Sequence, residues 1–242
     1  MIHRAAKAAL APILYVQAVR LKQTAIGLAE PEGERAGESG AGAPVLRLLV
    51  VGDSSAAGVG ARTQEEALVM PLAALLAVRL GRRVRWQLVA RSGLTSEALL
   101  ALVREATVGP ADIAIAICGV NDITHEVPLP DALAFRAQLA RWLRAHCGVR
   151  HVLFPALPEM DLFPALPQPL AWYAGLLSGR NNRAQARWAE TQPGVSHVPM
   201  DGIADAALFS ADGFHPAPAL YSRVAERLAS QVEAWLRGRQ TY

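Results

Sequence analysis

Ser54 follows Gly52-Asp53 at the end of the apolar run Leu46 to Val51. A glycine at a strand end permits the tight turn that lifts the next side chain above a sheet, so the Ser54 hydroxyl is a candidate nucleophile. Near the other end of the chain, Asp212-Gly213-Phe214-His215-Pro216 sets a carboxylate three residues before an imidazole, within reach of one loop. That contact fixes the histidine tautomer and stabilises the imidazolium, leaving Nε2 free to take a serine proton. Two further loops carry donors suited to a developing oxyanion. Gly93, in Ala90-Arg91-Ser92-Gly93-Leu94-Thr95-Ser96, offers a backbone N–H with no Cβ in the way. Asn121, in Gly119-Val120-Asn121-Asp122, offers a side-chain amide.

Each piece also has an ordinary reading. Asp53-Ser54 is a common helix start, and Ala56 stands where the second glycine of G-x-S-x-G belongs. Thr95 or Ser96 can cap a helix, Asn121 and Asp122 favour turns, and His215 can sit in a surface loop. All four pieces, however, follow successive elements in the order of an α/β serine hydrolase. The chain resembles the SGNH (GDSL-type) hydrolase family, on GDS at 52–54, the glycine at 93, GVND at 119–122 and DGFHP at 212–216. The resemblance covers about Val45 to Leu236 and departs at Ser55, where leucine is usual; Ser55 is a second hydroxyl beside the site, and Ser54, directly after Gly-Asp, is taken as the attacking group. It implies an acyl-ester hydrolase with Ser54 as nucleophile, His215 as base and acid, and Asp212 as its orienting carboxylate. The oxyanion hole would be the Ser54 and Gly93 backbone with the Asn121 side chain. No metal or organic cofactor is implied. Asp53 and Asp122 read as loop hydrogen-bond anchors.

The elements that must position these groups are legible as alternation. Short apolar runs at 46–51, 84–90, 113–118, 151–154 and 195–198 interleave with helical spacing at 65–80, 96–105, 131–146, 172–190 and 219–236. Wholly apolar strands between amphipathic helices predict a three-layer α/β/α, flavodoxin-like fold, with about five parallel strands and helices on both faces. Chemistry in such sheets belongs at the carboxyl ends of the strands. Cys118 closes the third run and reads as a buried core residue.

The 242 residues are 52% hydrophobic and 19% charged, which supports a sizeable core and excludes general disorder. Basic and acidic residues number 24 and 21, a net charge of +3 with no basic block, so no nucleic-acid partner is expected. Two cysteines and six dispersed histidines exclude a disulfide scaffold and predict no metal site. Gly52, Gly58 and Gly60 invite a phosphate-binding or nucleotide-binding alternative, but the spacing is neither GxGxxG nor GxxxxGK.

Residues 1–44 read as an N-terminal arm and linker before a hydrolase domain at 45–242. Ala8 to Val19 is apolar with Arg4, Lys7, Arg20 and Lys22 flanking it, and 12 residues are too few to span a bilayer. The stretch suits a signal core cleaved after Val16-Gln17-Ala18, an interfacial helix giving peripheral membrane contact through residues 1–28, or an arm packed on the body. The favoured settings are cytoplasmic or peripherally membrane-associated, with export the alternative. Residues 29–44, rich in Gly, Glu and Ala, read as the linker.

The expected substrate is a small acyl ester, with short-chain carboxylesterase chemistry the default. Thioesterase, lysophospholipase and sugar O-deacetylase are the alternatives on the same machinery. Val120 and Phe214 flank catalytic positions and are expected to line the pocket. The five-proline stretch 155–169 contributes Met160, Leu162 and Phe163, as an acyl-chain wall and partial lid or as a core plug. Arg180, Asn181, Asn182 and Arg183 read as a solvated helix start, with contact to a polar head group as the functional alternative.

Overall fold

The fold is taken from a computed structural model, which describes residues 2–24 and 26–238. Strands that are almost wholly apolar need cover on both faces, and here the central ones have it. β2 (Leu46–Gly52), β4 (Ile113–Ile117) and β5 (His151–Pro155) are almost wholly buried. They pair in parallel with β3 (Val84–Ala90) on one side and β6 (Val195–Val198) on the other. The parallel strands therefore run β3-β2-β4-β5-β6, and the strand order reverses between β2 and β4, where an open α/β sheet makes its ligand crevice.

Alternate residues feed two cores. Leu48, Val50, Ile113 and Ile115 face α3 (Val69–Leu80) and α8 (Pro218–Gly238). Leu49, Val51, Ala114 and Ala116 face α4 (Ser96–Glu105) and α6 (Leu129–Cys147). Two short helices, α2 (Ser54–Ala57) and α5 (Val120–Thr124), begin immediately after β2 and just past the end of β4. The long α7 (Leu170–Glu190) contacts β6 and α6.

Residues 29–44 are not a free linker. Ala36–Ser39 form β1, an antiparallel edge strand on β3, which makes the sheet six-stranded. Its backbone ladder with β3 holds it, and Glu38 adds ion pairs to Arg85 at 2.8 Å and Arg83 at 3.3 Å. Just upstream, Arg35 pairs with Glu30 at 2.5 Å and donates to Ala90 O at 2.7 Å. A polar edge strand carries no alternating apolar signal, and so reads as a linker. The helix expected from residue 65 starts at Val69 instead: residues 64–66 form a turn and 67–68 a bend, with Gln64 N–H donating to Glu32 O at 3.1 Å and Ala67 N–H to Gln64 O at 3.3 Å.

The N-terminal stretch is helical as α1 (Ile2–Thr24) and lies on the start of α7. Leu14 is buried there, and the Gln17 amide donates to Gln168 O at 2.7 Å and accepts from Leu170 N at 3.1 Å. Among the described residues no helix is long and apolar enough to cross a membrane.

Candidate active site

Four loops meet at the β2/β4 switch point. Gly52 is needed there for close approach: a Cβ on it would lie 2.4 Å from Ile117 O and 2.6 Å from Ala56 Cβ. Asp53 N–H donates to Ile117 O at 3.1 Å, tying the end of β2 to β4, and Asp53 Oδ1 caps α2 by accepting from Ser55 N at 3.1 Å. Ser54 is thus the first residue of α2, in the turn whose N–H groups have no intrahelical acceptor.

The Asp212–His215 loop reaches over from the start of α8. Gly213 takes φ +64°, and a Cβ on it would lie 2.8 Å from Ala165 N, so the turn and its close neighbour both require glycine. Asp212 Oδ2 accepts from His215 Nδ1 at 2.6 Å, and His215 Nε2 lies 3.0 Å from Ser54 Oγ. A carboxylate only accepts, so Nδ1 carries the proton and Nε2 is left to receive the one from Ser54. Asp212 Oδ1 accepts from Ser210 Oγ, Phe214 N and His215 N at 2.8, 2.9 and 3.0 Å. Burial works against charge on Asp212, but the His215 hydrogen bond and these donors outweigh it and hold the carboxyl below its ordinary range. The group is an anion positioned to stabilise an imidazolium.

The two other predicted donors are brought to the same end. Gly93 turns at φ +80° with open space where its Cβ would be. Asn121 Nδ2 donates one N–H to Leu94 O at 3.1 Å, linking the third loop to the residue after Gly93. The Gly93 loop is also held from outside by a residue the sequence does not flag. Glu30 Oε1 accepts from Ser92 N at 2.6 Å and Ser92 Oγ at 2.9 Å. Despite partial burial, these bonds and Arg35 keep Glu30 below its ordinary range.

Beneath the loops lies a second group of unflagged residues. Arg136 of α6 is 0% exposed and pairs with the buried Asp122 at 3.0 Å. It also donates to Ser96 Oγ (3.2 Å), Asn181 Oδ1 (2.8 Å) and Gln185 Oε1 (2.7 Å). Asp122 in turn accepts from Ser96 N at 2.7 Å and Ser96 Oγ at 2.5 Å. Asp122 is therefore the anionic half of a buried ion pair as well as a loop anchor. Gly119 turns into this group at φ +129°, where a Cβ would stand 2.4 Å from Arg136 Nη2. The signal for Arg136 was present in α6: the buried stripe Ala132, Arg136, Leu139, Ala140, Leu143 and Cys147 has helical spacing and one charge in it.

The residues expected to line the pocket separate. Met160 and Phe163 are buried in a small aromatic cluster, with the Phe163 ring 4.8 Å from Phe214 and 5.0 Å from Phe209. Val120 and Phe214 are half-buried at its edge, adjacent in sequence to Asn121 and His215, and Leu162 is exposed. Ala165 N donates to Gly213 O at 3.0 Å, so the five-proline segment braces the catalytic loop. The 180–183 cluster lies mid-helix in α7: Asn181 belongs to the Arg136 group, Asn182 holds Leu157 through both backbone groups, and Arg180 and Arg183 are exposed. Gly58 and Gly60 are packing residues, since Cβ atoms there would fall 2.6 Å from Ala67 Cβ and 2.2 Å from Pro216 O, which leaves no phosphate cradle between them. Cys118 is buried, and burial pushes its thiol up to about 11.

The model of the GDSL-like lipase/acylhydrolase family matches residues 50–223, which contain Ser54, Gly93, Asn121, Asp212 and His215. The chain belongs to that family. A GDSL-like esterase of Mycobacterium tuberculosis is 31% identical over 192 residues, covering 76% of this chain and 60% of that protein. The chain thus spans less than two-thirds of that relative. Among solved structures, the lipase Lip_vut3 from a goat rumen metagenome superposes with a TM-score of 0.63 at 20% identity, covering 76% of this chain and 96% of that one. TesA superposes with a TM-score of 0.55 at 27% identity, covering 75% of this chain and 95% of that one. The matched residues include Ser54, the loop groups around it and Arg136, whereas Glu30 lies outside them.

Within the GDS block, burial raises Asp53 from the ordinary 3.8 to about 7, and the Asp122 charge adds to the shift against the Ser55 hydrogen bond. The folded protein therefore holds this proton where the unfolded chain has released it, and the group costs stability progressively as pH rises from about 4 to about 7. Asp53→Asn keeps an acceptor for Ser55 N–H and removes that dependence. Relative to the natural protein, the variant is expected to gain about 2–3 kcal/mol between pH 5 and pH 8, measured as the change in urea-unfolding free-energy difference. An equal difference at both pH values would show that Asp53 does not hold its proton through that range.

Proposed function

We propose that the chain is a serine esterase acting on short-chain acyl esters, with Ser54 as nucleophile, His215 as general base and then acid, and Asp212 orienting the imidazole. The hydrogen-bonded series of 2.6 Å and 3.0 Å through His215 carries this reading and favours Ser54 over Ser55. His215 Nε2 takes the Ser54 proton as Oγ adds to the ester carbonyl, and the imidazolium is balanced by Asp212. The tetrahedral oxyanion is stabilised by the Ser54 and Gly93 N–H groups and the second N–H of Asn121, whose first is anchored to Leu94 O. Collapse expels the alcohol, which leaves with the proton from His215. Water, deprotonated by the same histidine, then hydrolyses the acyl-enzyme.

Support for a short acyl group comes from the aromatic cluster, which fills the space beside His215 with Phe163, Phe209 and Phe214 rather than leaving it to a chain. A p-nitrophenyl ester series tests the reading. Acetate and butyrate are expected to turn over with higher kcat/KM than octanoate and palmitate, and Asn121→Ala is expected to lower kcat on butyrate by about 10²–10³. Preference for the long chains would overturn the substrate assignment, and an undiminished kcat in Asn121→Ala would remove that side chain from the oxyanion hole.

A further inference from the structure

Single exposed apolar residues are ordinary, but several on touching elements mark an interaction surface. Among the described residues eight large apolar side chains are exposed, and five of them fall on three neighbouring elements. Ile13, Tyr15 and Val16 belong to α1, Leu162 to the turn at 160–162, and Trp172 to the start of α7. Tyr15 is 72% exposed. At about 100° per residue, all three α1 side chains project at least a quarter-turn away from Leu14, which faces α7. Gln17 fixes α1 to residues 168 and 170, and Ala165 of the same segment is hydrogen-bonded to Gly213 of the catalytic loop. The helix that carries this surface is therefore tied to the segment that braces the Asp212–His215 loop.

Its charge says what it fits. Residues 1–29 contain Arg4, Lys7, Arg20 and Lys22 and no Asp or Glu. Arg20 and Lys22 are exposed in the last turns of α1, directly after its apolar stretch. Glu159 and Asp161 are exposed on the neighbouring turn, and the four cations in the sequence of residues 1–29 outnumber these two acids. A second copy meeting this face about a two-fold axis would set one cationic, acid-free segment against another, a repulsion that an anionic surface replaces with attraction. The helix cannot span a bilayer, so it would lie on one.

We propose that the outward face of α1, with Leu162 and Trp172, docks the protein on an anionic lipid surface, seating the Ser54 site beside esters held there. The docking stands independently of the proposed chemistry, and only the word "esters" rests on it. Flotation of the full chain with phosphatidylcholine vesicles, plain or containing about one-third phosphatidylglycerol, tests it. The natural protein is expected to float with the anionic vesicles and to be released by salt. Ile13→Glu with Val16→Glu, and separately Arg20→Glu with Lys22→Glu, are each expected to lower that partition by about tenfold. Both double variants are expected to hydrolyse water-soluble p-nitrophenyl butyrate at the unaltered rate, which shows that they fold. The proposal is overturned if the natural protein stays in solution, if either variant partitions equally, or if plain vesicles bind as well as anionic ones. A dimer that Ile13→Glu with Val16→Glu splits into monomers, with no flotation, would instead give this face to a second copy. Absence of butyrate hydrolysis by the natural protein would count against the esterase reading and leave the docking result untouched.

Discussion

Ser54→Ala is expected to lower kcat on p-nitrophenyl butyrate by about 10⁶, leaving a residual rate within a few powers of ten of the reaction in water. The magnitude follows from geometry. The Ser54 hydroxyl is 3.0 Å from an imidazole whose other nitrogen is 2.6 Å from a carboxylate, so the three groups form one hydrogen-bonded unit. Removing any member of such a unit forfeits the covalent route, and what remains is binding and the oxyanion donors. His215→Ala is accordingly expected to cost about as much as Ser54→Ala, and the double variant little more than either. Ser55→Ala serves as the control: its backbone N–H caps to Asp53, a bond the substitution keeps, so kcat is expected to stay near the unaltered value. Single-turnover measurements with an esterase-free preparation distinguish these outcomes. Loss of activity in Ser55→Ala with retention in Ser54→Ala would reassign the nucleophile.

The sheet and the four loops that meet at the candidate site are legible because each rests on a local signal. Runs such as Leu46–Val51 and Ile113–Ile117 have only one environment that suits them, and the loops after them carry residue types that loops otherwise need for capping and turning. β1 is not legible, since Ala36–Ser39 has no apolar alternation and owes its place to backbone pairing with residues 84–87, far along the chain. Glu30 is not legible for the same reason: it holds Ser92, sixty-two positions away, and nothing near it in sequence announces that. The lining residues failed differently. Met160, Leu162 and Phe163 share apolar character, and only the three-dimensional path of a proline-stiffened segment decides that two of them fill a core and one meets solvent.

Arg136 lies between these cases, and its removal is the second large effect expected. A guanidinium with no exposed surface is stable only if its donors are met, and here Asp122, Ser96, Asn181 and Gln185 meet them. Arg136→Met leaves Asp122 as an unpaired buried carboxylate, which typically costs about 3–5 kcal/mol, or about 10 °C in Tm for a chain of this size. Arg136→Lys retains the charge but not the planar fork that reaches four partners, so it is expected to recover only part of the loss. Adding Asp122→Asn to Arg136→Met removes the stranded charge and is expected to restore most of the stability. Catalysis should not recover with it. Ser96 and Asp122 are the points at which the Gly93 loop and the Asn121 loop are joined, and Arg136 holds that joint from below. With the joint loosened, both donors lose their fixed aim at an oxyanion, so kcat on butyrate falls while KM changes little. A merely structural role predicts the opposite: kcat would return once the double variant was stable again. Thermal unfolding and steady-state kinetics on Arg136→Met, with and without Asp122→Asn, separate the two, because recovery of Tm together with kcat would confine Arg136 to stability alone.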